Sequence, residues 1–197
     1  MPHIVLLGDS IFDNAAYVRG GPDVVAQLRA LLPDGWRATL AAVDGAVIAD
    51  VARQLARLPA DATHLVVSVG GNDALGHVDL LSRRAESSAQ VLGWLADAVE
   101  GFEARYRRMV AALLERRLPV TLCTIYEGNL GAPVQRIARV ALAVFDDAIL
   151  RVAAEHGLPV IELRLVCTGT ADYANPIEPS VQGGGKIARA IARALGG

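Results

Sequence analysis

The chain has 197 residues, of which 53% are hydrophobic and 20% charged. That length fits one domain, residues 1–197, and that composition excludes intrinsic disorder, which needs low hydrophobicity and high charge. The 19 Lys and Arg nearly balance the 21 Asp and Glu, for a net charge of −2, so bulk electrostatics point neither to nucleic acid nor to an anionic membrane surface.

Apolar runs and amphipathic stretches alternate along the chain. The first run, His3–Gly8, has no basic segment before it, and its apolar part is too short for a signal-peptide core. No stretch approaches the ~20 apolar residues of a membrane span, and the expected location is the cytoplasm. Further strands are predicted at Arg37–Val43, His64–Val69, Val120–Ile125 and Pro159–Leu163. These runs are nearly continuous in Val, Ile and Leu instead of alternating, as in a parallel sheet covered on both faces. Helices are predicted between them. Asp23–Leu32 stops at Pro33-Asp34-Gly35, and Ile48–Leu58 stops at Pro59. A long segment, Ser87–Arg117, carries Leu92, Leu95, Val99, Phe102, Tyr106, Met109 and Leu113 on one face, with Gly93 and Gly101 as points where it bends or splits. Pro133–His156 closes at Gly157 and Pro159, and Gly185–Leu195 is the last. Strand–helix alternation of this kind predicts a three-layer α/β/α sandwich around a five-stranded parallel sheet.

In such a sheet, chemistry sits beyond the carboxyl ends of the strands. Gly8-Asp9-Ser10 follows the first strand and presents a hydroxyl there. Asp44-Gly45-Ala46 follows the second, where a glycine exposes its backbone N–H. Gly70-Gly71-Asn72-Asp73 follows the third, where paired glycines permit close backbone approach and the Asn amide can act as a donor. Each motif alone also fits an ordinary turn or cap.

Taken together, in this order and spacing, the three motifs resemble the SGNH hydrolases, also called the GDSL esterase/lipase family, over Leu7 to about Ala188. The resemblance implies the flavodoxin-like strand order 2-1-3-4-5 and a small-molecule ester as substrate. It makes Ser10 the nucleophile, with an oxyanion hole formed by the Ser10 N–H, the Gly45 N–H and the Asn72 side chain. Three such donors aimed at one developing oxyanion can supply several kcal/mol. The family's closing motif, Asp, two residues, then His, aligns with Asn175-Pro176-Ile177-Glu178. Pro179, Ser180 and Gly183 match the residues that follow it. The usual catalytic histidine is therefore Glu178 here, and its aspartate partner is Asn175.

The paired change is electrostatically coherent. Asp beside Glu⁻ would put two like charges in one site, whereas Asn removes the repulsion and offers an NH₂ to hold the carboxylate. Glu178 is then the expected general base and Asn175 its orienter. Glu is the weaker base by roughly 2 pK units, a gap that burial can narrow. Two other bases stay open, His77 on the active side and Asp172 just before the motif. His3, His64 and His156 belong at the opposite end of the sheet. Asp9 is expected to brace the turn. Asp13, Asn14 and Tyr17 could line the cleft or serve as caps, and Tyr126-Glu127-Gly128-Asn129 is placed to shape a pocket. Cys123 and Cys167 are too few for a disulfide framework. With no P-loop, dinucleotide fingerprint or metal-ligand cluster, no cofactor is expected. The low aromatic content, 5%, and the lack of a long apolar lid argue against a long-chain lipase. The expected activity is carboxylic ester hydrolysis. A module that binds an acyl or carbohydrate ligand without cleaving it is the alternative.

Overall fold

The computed structural model describes residues 1–196. Five parallel strands form one sheet: β1 (His3–Gly8), β2 (Arg37–Leu40), β3 (His64–Ser68), β4 (Val120–Cys123) and β5 (Val160–Ile161), in the order β2-β1-β3-β4-β5. This is the expected order. The helices are α1 (Val24–Leu31), α2 (Val51–Leu55), α3 (Gly71–Leu75), α4 (Ser88–Leu114), α5 (Val134–Glu155), α6 (Leu163–Val166) and α7 (Val181–Gly196).

Successive strand residues face opposite sides of the sheet, so an unbroken apolar run feeds two cores at once. Val5 and Leu7 of β1, with Leu65 and Val67 of β3, pack against α2, α4 and α5. Ile4 and Leu6 of β1, with Val66 of β3, pack against α1 and α7. Each fully buried Leu, Ile or Val side chain of this kind contributes about 1.5–3 kcal/mol relative to exposure. Both cysteines are buried and free.

Strand β5 is shorter than expected and Leu163 opens α6 instead, α2 covers only the middle of the predicted Ile48–Leu58, and three further elements depart from expectation. Strand β2 ends at Leu40; beyond it the N–H groups of Ala41 and Ala42 both donate to the Leu6 carbonyl, which breaks the regular ladder. Helix α4 is continuous through Gly93 and Gly101, because the buried face formed by Ala98, Phe102, Tyr106, Met109 and Leu113 is uninterrupted. Helix α7 begins at Val181, four residues before the predicted start, and includes all of Gly183, Gly184 and Gly185. Those glycines are contact surfaces here: a Cβ on Gly183 would lie 2.0 Å from the Asp172 carbonyl oxygen. Among the described residues, no helix is long and apolar enough to cross a membrane.

Candidate active site

Ser10 lies in the turn that ends β1. The strand closes at Gly8, whose φ of +126° is a left-handed value. A Cβ there would come within 1.7 Å of the Ser68 carbonyl oxygen on β3, so only glycine fits. Gln54 of α2 grips the same peptide from both sides. The Gly8 N–H donates to its Oε1 and its Nε2 donates to the Gly8 carbonyl, each at 2.8 Å. Beyond Gly8, the Asp9 N–H donates to the Ser68 carbonyl, and the Asp9 carbonyl accepts from Phe12 and Asp13. The Asp9 carboxylate accepts the Ile11 N–H at 3.1 Å. This pattern uses the N–H groups around Ser10 and leaves the Ser10 N–H without an acceptor among the described residues. Asp9 thus braces the turn. Burial pushes its carboxyl up to about 7, against the Ile11 hydrogen bond, with the charges of Glu178 and Asp73 adding to the rise.

Two loops face this turn. In the first, Asp13 accepts the Asp44 N–H at 2.9 Å, and the Tyr17 hydroxyl donates to the Asp44 carboxylate at 2.7 Å. Gly45 follows with φ +77°, and its N–H also has no acceptor among the described residues. In the second, Gly70 lets the backbone turn tightly over Phe102 into α3. Asn72 donates one amide hydrogen to the Ala46 carbonyl at 2.9 Å, and Asp73 accepts the Ile48 N–H at 2.9 Å. These bonds lock the Gly45 loop to the start of α3. They leave the second Asn72 amide hydrogen free at the edge of the cavity that Ser10 also lines. Gly45, unlike Ser10 and Asn72, stands exposed outside that lining.

Glu178 is 6% exposed and lines the same cavity as Ser10. Burial raises its carboxyl pKa above the ordinary glutamate value. The Ser10 hydroxyl beside it lowers it, and the charge of Asp44 raises it further. No hydrogen bond of ordinary geometry closes the pair, and the buried Glu178 Oε2 has no partner. The carboxylate is therefore beside the hydroxyl, with its buried Oε2 unengaged.

Asn175 sits differently from expectation. Its Oδ1 accepts the backbone N–H groups of Ile177 and Glu178, each at 2.9 Å, and its amide makes no bond to the Glu178 carboxylate. An Asx turn is the cheaper use of a short amide two or three residues before the N–H groups it caps. Asn175 thus shapes the backbone at Glu178 rather than holding its side chain. The rest of this loop is tied from outside. Asn14 donates to the Pro179 carbonyl at 3.1 Å, the Tyr126 hydroxyl to Ile177 at 2.6 Å, and the Asn129 N–H to Pro176 at 2.7 Å. Asn14 also accepts the Val24 N–H at 3.0 Å. Of the residues read as either cleft-lining or capping, Asp13, Asn14 and Tyr17 all serve as ties between loops.

Of the two alternative bases, Asp172 is engaged elsewhere, whereas His77 is not. Asp172 is fully buried in an ion pair with Lys186 at 2.7 Å and accepts from Gly169 and Gln182. Burial alone would raise its carboxyl; these partners outweigh it and hold the pKa below the usual range. His77 lines the cavity but stacks on Phe145, ring centroids 6.2 Å apart. His3 bonds Asp61 and Thr39 at the start of β1, His64 begins β3, and His156 caps α5. Those three lie at the far end of the sheet, as expected. Among the described residues, no cluster of three or more His, Cys, Asp or Glu could hold a metal.

Two features escaped the sequence reading. Gln54 had a signal, since its spacing from Val51 and Leu55 puts it on the buried face of α2. The cavity beside Ser10, about 230 Å³, had a partial one: Tyr126, Glu127 and Gly128 line it where the sequence placed a pocket, but its hydrocarbon wall from the segment 74–81, Leu95 and α5 read as core.

The family model described as "GDSL-like Lipase/Acylhydrolase family" matches residues 6–183. Among curated proteins no sequence matches. Solved structures share the fold at low identity. An extracellular lipase from Streptomyces rimosus is 20% identical with TM-score 0.71, covering 100% of this chain and 99% of that one. A phospholipase A1 from Streptomyces albidoflavus is 16% identical with TM-score 0.74, covering 98% of each. An acetyl xylan esterase from Geobacillus stearothermophilus is 21% identical with TM-score 0.65, covering 99% and 94%.

Proposed function

Because the chain belongs to the GDSL-like lipase/acylhydrolase family, we propose that it hydrolyses carboxylic esters through a Ser10 acyl-enzyme, with Glu178 as general base. The observation that carries this reading is the buried Glu178 carboxyl beside the Ser10 hydroxyl. Two unengaged backbone N–H groups, those of Ser10 and Gly45, add support.

In the first half-reaction Ser10 Oγ attacks the acyl carbon while its proton passes to Glu178. The carbonyl oxygen gathers negative charge and is held by the Ser10 and Gly45 N–H groups and the free Asn72 amide hydrogen. Removing one such donor typically costs 10²–10³ in rate. The C–O bond to the alcohol then breaks, and Glu178 returns the proton to the departing oxygen. In the second half-reaction Glu178 takes a proton from water, the hydroxide oxygen bonds to the acyl carbon, and the Ser10 ester breaks with Oγ reprotonated. The raised pKa of Glu178 suits it for this exchange, because a base is most effective when its pKa approaches the working pH. Asn175 acts through the backbone that carries Glu178, as a positioning residue.

A second reading, a module that binds an acyl ligand without cleaving it, draws on the unclosed Ser10–Glu178 pair. A serine-directed fluorophosphonate probe with a panel of short acyl esters tests both. Hydrolysis by the wild type, labelling at Ser10 and loss of both in Ser10→Ala are the expected results. Glu178→Gln should lose turnover while keeping the fold, since Gln keeps the shape but accepts no proton. Wild-type turnover in Glu178→Gln rules out Glu178 as base, and ligand binding without turnover of any ester favours the second reading.

A further inference from the structure

The cavity beside Ser10 has chemically distinct parts. Its polar end holds Asp9, Ser10, Asn72 and Glu178; most of its remaining wall is aliphatic, and no Lys or Arg lines it. Such a wall offers a phosphate or carboxylate no cation, and it favours hydrocarbon.

Helix α5 supplies one side of that wall through Val134, Ala138, Ala141, Leu142 and Phe145, whose spacing of three and four residues puts them on one face. On this face Val134 is 46% exposed, Ala138 9% and Phe145 3%, with Ala141 and Leu142 half-buried between the last two. The α5 wall of the cavity thus has an exposed residue, Val134, at its amino end and a buried one, Phe145, farther along. Two positions on the face are alanines, and these leave the free space. Leu75, Val78 and Leu81 both line the cavity and stand 44%, 59% and 48% exposed, forming an apolar lip.

The size selects a chain length. An apolar protein cavity of ~150 Å³ takes one benzene, six carbons; in proportion, about 230 Å³ takes ~8–10 carbons.

We propose that this cavity is an acyl-binding site for an unbranched chain of about eight to ten carbons, its length set by Ala138 and Ala141. The proposal rests on the Ser10 reading for what becomes of the acyl group, but the site itself is defined by its walls. A two-carbon acyl group would leave nearly all of the cavity unfilled, and a sixteen-carbon chain would project past the lip.

The test has two arms that fail separately. In the first, calorimetry measures binding of the uncharged methyl esters of acetate, butyrate, octanoate and decanoate to the Ser10→Ala protein. Affinity should rise about fourfold for each added methylene up to octanoate; affinity independent of length overturns the proposal. In the second, kcat/KM of the wild type is measured on p-nitrophenyl esters from two to sixteen carbons. The optimum should fall at eight to ten, and Ala141→Trp should lower the ratio of ten-carbon to two-carbon kcat/KM at least tenfold. Ala138→Phe gives a second filling variant, with circular dichroism as the check on folding. Hydrolysis of acetyl esters with no length preference overturns the acyl site and leaves the hydrolase reading standing. Length-dependent binding with no turnover of any ester supports the acyl site and overturns the hydrolase reading.

Discussion

The side-chain amide of Asn14 donates to the main-chain carbonyl of Pro179 at 3.1 Å, across a separation of 165 residues. It joins the loop that carries Ser10 to the loop that carries Glu178. Asn14→Asp keeps the acceptor for the Val24 N–H but removes the donor and sets a carboxylate against a carbonyl. We expect kcat to fall on the order of 10–100-fold, the scale of an ångström-sized misplacement of a catalytic group, with a smaller change in KM. Steady-state kinetics with circular dichroism as a folding control decide it. An unchanged kcat would mean that the tie does not position the base.

Glu178 must be ionised to act as a base, and burial raises its pKa. The acidic limb of kcat/KM should therefore lie above the ordinary glutamate value, activity rising with pH through it. Glu178→His combined with Asn175→Asp should move that limb to an imidazole value near ~6.5. A pH profile that ignores the identity of residue 178 would remove it from the chemistry.

Asn175 holds two backbone N–H groups and leaves the carboxylate alone. Asn175→Ala should lower kcat without moving the acidic limb, whereas Asn175→Asp, still an acceptor for both N–H groups, should restore most of it. A shift of the limb in Asn175→Ala would point to direct contact with the carboxylate.

Asp9 has a folded pKa of about 7 against an ordinary 3.8. Between those values the folded state holds a proton that the unfolded state has released, so the contribution to stability falls as pH rises through this window. Glu178, also raised, acts in the same direction. Asp9→Asn removes the titration and keeps an acceptor for the Ile11 N–H. Its Tm relative to wild type should be higher at pH 8 than at pH 5; an equal difference at both would show that Asp9 does not titrate there.

Gln54 satisfies both polar groups of the Gly8 peptide in a buried setting. Gln54→Leu leaves the Gly8 N–H unpaired at about 1–3 kcal/mol, while the Gly8 carbonyl keeps the Val43 N–H at 3.0 Å. Urea unfolding should show that loss, with lower activity because the Ser10 turn starts at Gly8. A loss under about 0.5 kcal/mol, the range of ordinary surface substitutions, would mean that water or another group replaces the clamp.

The sheet was readable because β1 and β3 are unbroken apolar runs, a pattern that arises when both faces are covered. Ser10 and Asn72 were readable because glycines flank them where strands end. Periodicity said less about surroundings. Leu92 and Leu95 were read with Phe102 and Tyr106 on one face of α4, yet Leu92 is 65% exposed and Leu95 lines the cavity. A hydrocarbon side chain looks the same in sequence whether it faces a core or a void. Gly183 was read as lying before the last helix, when its missing side chain is what lets that helix approach Asp172. Asn175 was assigned by its chemistry, and local geometry decided otherwise, because its Oδ1 reaches two nearby N–H groups first.

The loop around Glu178 closes on its own main chain. The Ala174 N–H donates to the Glu178 carbonyl at 2.8 Å and the Ser180 N–H to the Asp172 carbonyl at 2.9 Å, and Tyr173 pairs with Pro179. These bonds, with the Asn175 turn, grip peptide groups and ignore the side chain of residue 178. The loop behaves as a socket whose fitting is interchangeable. A histidine or a carboxylate can be seated there without rebuilding the socket, while one residue inserted between Asp172 and Ser180 would spoil it for every occupant. The identity of residue 178 is thus free to drift while the length of its loop is not.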